Sequence, residues 1–206
     1  MRSTDPMNKD LATGGPGDQE HHAGLDDSAE PTVRMLAWAK NSASYRLSRR
    51  MMTEHELATA IRRKARQKFE GISEAQLSAV ANAAIAFGRR VGALDDKSYA
   101  EVKVRSLVRA GRSKRVIARK LQEKGVDPPT AAEALEDADD PTAAIAFARK
   151  RGFGPYRRAP LDEKRLAREM SAFARNGFSF DLARRVLDMD VDVDEAEAVA
   201  AAQPFG

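Results

Sequence analysis

Three groups of arginine and lysine are the residues of this chain whose types and spacing could do chemistry. Arg62, Arg63 and Arg66 fall on one face of a helix, opposite Leu57, Ile61 and Ala65. Arg112, Arg115 and Arg119 recur at i, i+3 and i+7, with Lys114 and Lys120 beside them. Arg149, Lys150, Arg151, Arg157 and Arg158 bracket the stretch GFGPY, which sets Phe153 and Tyr156 among the charges. Cations held at such spacing attract anions, either the phosphates of a nucleic acid or the carboxylates of an acidic protein surface. Tyr156 and Arg157 place an aromatic ring among arginines, able to stack on a base or to bury at an interface. Nothing in the groups resembles a code for reading base edges. Singly, each is also what a solvated helix face looks like. Recurrence in equivalent places of successive repeats would turn them into one stripe.

Catalytic chemistry has little support. The chain has no cysteine, which removes disulfides, thiol nucleophiles and thiolate-bound metals together. His55 is the one histidine beyond the first 32 residues, and it reads as an exposed residue in the first turn of a helix, between Glu54 and Glu56. His21 and His22 are adjacent in a polar segment, a poor start for a metal site. Neither GxxxxGK[ST] nor GxGxxG occurs, and the Gly-x-Gly of RGFGPYRR runs into Pro155 rather than a helix start. Asp95 and Asp96 read as caps for a helix beginning near Lys97, where carboxylates complement the helix dipole. The run DMDVDVDEAE at 188–197 lacks the glycine and spacing of a calcium loop. The expectation is a protein that is not an enzyme, with no cofactor and no metal.

Charge is unevenly spread. Residues 1–32 carry a net −5, residues 33–175 a net +14, and residues 176–206 a net −5, so the overall +4 conceals a basic middle. The first 32 residues are Gly-rich and nearly free of large apolar side chains, which predicts a disordered acidic tail. A second acidic tail is expected over 191–206. No run of about 18 apolar residues occurs, and the N-terminal segment lacks the apolar stretch of a signal peptide. With cysteine absent, these features predict a cytoplasmic, monomeric protein that touches no membrane.

The elements that must position the basic groups are helices. Leu77, Val80, Ala84, Phe87 and Val91 recur at steps of three and four, and no segment alternates as a strand would. Thr53 with Glu56, and Ser73 with Gln76, read as capping boxes, and Asp140-Pro141 as a cap followed by a first-turn proline. Gly125 and Gly177 mark helix ends. A repeat emerges when segments are aligned: an apolar-basic helix, a turn, an apolar residue (Ile72, Val126, Phe178), a cap (Ser73, Asp127, Ser179) and another amphipathic helix. Each unit has a further helix in front, near 35–50, 97–110 and 141–151. The predicted fold is all-α: three tandem three-helix repeats, 33–92, 93–139 and 140–190, stacked and sharing cores in an elongated, curved body. Tyr99 is expected in the core, spaced to pack with Val102, Leu107 and Val108.

ALDDKSYAEVKVRSLVRAGRSKRVIARKLQEKGVD resembles the second repeat of the RecX family of recombination regulators, through its Leu-Asp-Asp turn, the Tyr99-Ala100 pair and a basic helix closing on Lys-Gly-Val. TEHELATAIRRKA fits the family's first repeat, and ARKRGFGPYR followed by AREMSAFARNGFSFDLARRVL its third. Ala93, where the family commonly has a larger residue, and the Phe69-Glu70 stretch depart from the pattern. The resemblance implies three tandem three-helix repeats and a regulator without enzymatic activity. Such a regulator lodges in the groove of the RecA filament on single-stranded DNA and restrains filament growth, ATP hydrolysis and strand exchange. The basic stripe would then lie against acidic filament surface and DNA phosphates. The alternative is a helical module that binds DNA or RNA without RecA, single- or double-stranded.

Overall fold

The structure is a computed structural model that describes residues 30–189. The expected tails lie outside these residues except at 30–32, as do His21, His22 and the acidic run beyond Met189.

Among the described residues the fold is all-helical. In chain order the helices are α1 (Val33–Leu47), α2 (Glu54–Lys68), α3 (Glu74–Arg90), α4 (Asp96–Arg109), α5 (Lys114–Glu123), α6 (Pro128–Leu135), α7 (Asp140–Arg151), α8 (Glu163–Arg175) and α9 (Phe180–Leu187). A 3-10 turn at Gly154–Tyr156 separates α7 from α8. Every α-helix starts on Thr, Ser or Asp, whose side-chain oxygen accepts an amide of the first turn. Each such cap stabilises its helix by about 1 kcal/mol. Both expected capping boxes form. The cap of α7 is Asp139 rather than Asp140, which is instead the first helical residue.

The helices gather in threes. Leu57, Ile61 and Ala65 of α2 meet Ala39 and Ala43 of α1 and Leu77, Val80, Ala81 and Ala84 of α3, and Leu94 closes this core. Tyr99, Ala100 and Val104 of α4 meet Ile117, Leu121, Val126 and Ala131. The third core holds Ala143, Ala144, Phe147 and Ala148 of α7 with Phe173, Phe178, Leu182 and Val186. Phe147 meets Phe153 and Phe173 edge to face, the latter at 5.0 Å between centroids, a geometry that adds to area burial. Tyr99 is buried as expected, whereas Val102 points out of its core and is 42% exposed. Sharing between units is limited: among the described residues Val108 alone packs against both the second and the third core.

The same polar clasp joins successive units at both junctions. The Thr53 hydroxyl at the start of α2 donates to the Lys124 carbonyl at the end of α5, at 2.6 Å. One unit on, the Ser113 hydroxyl at the start of α5 donates to the Asn176 carbonyl at the end of α8, at 2.8 Å. The Glu54 amide donates to Asp96 Oδ1 at 2.9 Å, and the Lys114 amide to Asp140 Oδ1 at 2.7 Å. Each hydroxyl thus caps its own helix and ties it to the next unit. Each Asp-Asp pair divides its work, the first residue capping its helix and the second gripping the preceding unit. Gly125 and Gly177 sit at the contacts with positive φ, and an added Cβ would lie 2.3 Å from His55 Cβ and from Ser113 Oγ respectively. Both conformation and approach require glycine there.

The two junctions differ in packing. Between the second and third units, α4 also packs on α7. Between the first and second units the clasp is joined by Lys124 Nζ, 2.7 Å from Glu56 Oε1, rather than by broad helix-on-helix packing. The result is an elongated body with its three cores in series.

Candidate partner-binding surface

The three basic groups lie on all three units but not in equivalent places. The first occupies the middle and end of α2, the second the turn before α5 and α5 itself, and the third the last turn of α7 with the turn that follows. The third group sits on the first helix of its unit and the turn after it, whereas the first two sit on or beside the second helix of theirs.

Their cations divide into those used internally and those that face solvent alone. Arg62 donates to Ser78 Oγ at 2.9 Å and Arg66 pairs with Glu74 at 2.6 Å, both fastening α2 to α3. Arg112 donates to Asn176 Oδ1 at 2.5 Å, across the junction of the second and third units. Lys114 reaches the Glu136 carbonyl at 3.3 Å, and Arg119 lies 3.5 Å from Glu123 on its own helix. Arg157 is the most committed: its Nε donates to both oxygens of Glu169, at 3.0 and 2.9 Å, and its side chain is 14% exposed. Glu169, itself 3% exposed, also accepts the Gly154 amide at 3.2 Å. Arg157 is therefore a clamp on the 3-10 turn, whose charge is already satisfied by a buried carboxylate. Tyr156 packs on the third core, with the Arg149 guanidinium 5.4 Å from its ring centroid, and Arg151 lies 5.8 Å from the ring of Phe147.

Arg63, Arg115, Lys120, Lys150 and Arg158 are exposed and make no hydrogen bond or ion pair among the described residues. With Arg149 and Arg151 they are the cations of the three groups best placed to meet an external anion. At the first junction, burial pushes the Glu56 carboxyl up, but the hydrogen bond from Lys124 and the charges of Arg50 and Lys124 outweigh it and hold the group below the usual range. Asp96 is shifted the other way, because burial of its carboxylate outweighs the stabilising Glu54 amide. No group of three or more His, Asp or Glu that could hold a metal occurs among the described residues. No described helix is long and apolar enough to cross a membrane.

Sequence reasoning read Thr53 and the Asp95-Asp96 pair only as helix caps and missed the bonds they or their neighbours make between units.

Residues 95–135 match the family model for the second three-helix domain of RecX. The chain is 57% identical over 166 residues to the regulatory protein RecX of Agrobacterium fabrum, covering 81% of this chain and 90% of that protein. The chain belongs to the RecX family. The regulatory protein RecX of Myxococcus xanthus is 36% identical, over 87% of this chain and 97% of its own length. The fold matches the crystal structure of RecX from Lactobacillus salivarius with a TM-score of 0.57 at 20% identity, covering 81% of this chain and 99% of that one. The family-model match begins at Asp95, the cap of α4, and takes in Asp96 of the first clasp.

Proposed function

We infer that the chain binds the RecA recombinase, as its filament on single-stranded DNA, and mainly restrains ATP hydrolysis, filament extension and strand exchange. Membership of the RecX family, at 57% identity to a regulatory protein of that name, carries the inference. The geometry supports it in two ways. An elongated body with cores in series can contact several filament subunits, which a compact ball cannot. Exposed, unpaired cations on all three units, from Arg63 through Arg115 and Lys120 to Lys150 and Arg158, suit acidic protein surface and phosphates. In this reading units 33–92, 93–139 and 140–190 act as one monomeric, cytoplasmic regulator without catalysis of its own. A RecA–DNA ATPase assay tests it: substoichiometric protein should lower the rate, and an unchanged rate with unchanged filament length would sink the reading.

The same free cations favour a second reading, in which the chain binds nucleic acid without RecA. That reading requires bare single strands to be bound at least as tightly as RecA-coated ones. It also requires a steep salt dependence, with roughly one unit of log-log slope lost per phosphate contact removed.

A further inference from the structure

A groove of about 390 Å³ runs between the first and second units. Arg50 and Met51, from the link between α1 and α2, form one wall, and α4 and α5 form the other and the floor. Three features mark it as a binding surface. Its apolar lining is partly open, with Met51 48% and Val102 42% exposed. Its rim is basic, with Arg50, Lys103, Lys120 and Lys124 against one acid, Glu123, which Arg119 approaches at 3.5 Å. Arg50 and Lys124 share Glu56, so Lys103 and Lys120 are the uncompensated charges. Finally, Tyr99 lines the groove while only 2% exposed, and its hydroxyl makes no hydrogen bond among the described residues. A phenol hydroxyl at the edge of such a groove can donate to an occupant.

We propose that this groove is a docking site for an acidic peptide with an aliphatic side chain. The aliphatic group would sit between Met51 and Val102, carboxylates would meet Lys103 and Lys120, and the Tyr99 hydroxyl would donate to a carboxylate or peptide carbonyl. A peptide fits better than a nucleic acid because the exposed lining is aliphatic. The one aromatic ring is buried, with Lys103 Nζ 5.7 Å from its centroid, and leaves no open face for a base. Both walls come from different units, so an occupant would also hold the first junction at a fixed angle. The proposal does not depend on RecA being the partner. Only Lys120 belongs both to the groove and to the basic groups described above.

Fluorescence anisotropy on the full chain tests it, with a labelled short peptide of alternating Asp and Leu. Controls are the same peptide with Ser for Leu and an oligothymidylate of similar length. The Asp-Leu peptide should bind about tenfold more tightly than the Asp-Ser peptide, and Lys103→Glu and Val102→Asp should each weaken it about tenfold. Both positions are exposed, so unchanged circular dichroism should accompany the loss. Three outcomes overturn the proposal: equal binding of the two peptides, oligothymidylate binding that falls in the same variants, or self-association of the chain that Val102→Asp abolishes. None of these touches the RecA reading, which the ATPase assay addresses without the peptide.

Discussion

Arg157 and Arg63 show how little an arginine's sequence context says about its work. Arg157 stands beside an exposed arginine, yet it is spent on Glu169 inside the third unit. Removing one partner of a buried pair leaves the other charged and unsatisfied, so Glu169→Ala or Arg157→Ala should cost about 3 kcal/mol in chemical denaturation. Arg63→Ala should change stability by less than about 0.5 kcal/mol in the same experiment, because nothing in the fold uses it. The partners that separate such cases are distant in sequence: Glu169 lies across the 3-10 turn from Arg157, and Asn176 holds Arg112 from another unit. Charge patterning marks the groups and is blind to these pairings. Candidate contacts were legible only as a set.

At the scale of elements, starts and stops were the most legible feature, because caps and left-handed glycines act within one turn of chain. The Asp-Asp pairs were half legible. Local chemistry favours either residue as the cap, and the preceding unit decides which one is left to grip it. In the clasp, Asp96→Ala removes the acceptor of the Glu54 amide and should cost about 1–2 kcal/mol by thermal denaturation. Asp96→Asn keeps an acceptor oxygen without the desolvated charge, and should cost less at neutral pH. The two junction carboxylates respond oppositely to pH. Asp96, raised by burial, contributes stability that is present below its unfolded pKa and lost as pH rises through its folded value. Glu56, lowered on balance by Lys124 and Arg50, contributes stability that is present above its unfolded pKa and lost as pH falls through its folded value. Glu56→Gln should therefore flatten the acid limb of a stability-versus-pH curve, and Asp96→Asn should remove the opposing slope. Gly177→Ala meets both a positive φ and Ser113 Oγ. It should destabilise by more than the roughly 1–2 kcal/mol of left-handed strain alone, and proteolysis should then cut between the second and third units.

The whole molecule is three small cores in series, joined by a repeated polar clasp and, at one junction only, by helix packing. The repeat was visible in the sequence because its grammar of caps and glycines recurs. The shallow sharing of cores was not, since it depends on how far each unit's apolar stripe wraps. The first junction lacks that helix packing, and its added Lys124–Glu56 pair is open to water and salt, so it should open before the second. Hydrogen exchange should show the Glu54 amide, donated to Asp96, protected less than the Lys114 amide, donated to Asp140. A regulator built this way can follow the curvature of a helical partner while each unit stays folded.

That partner is the central claim, and ATP hydrolysis by RecA on single-stranded DNA is its most direct measurement. The account predicts that substoichiometric protein slows hydrolysis, and that Arg115→Glu with Lys120→Glu relieves the inhibition in a chain that remains folded. A rate untouched by the protein, or inhibition that survives unchanged in the reversed variant, would contradict it.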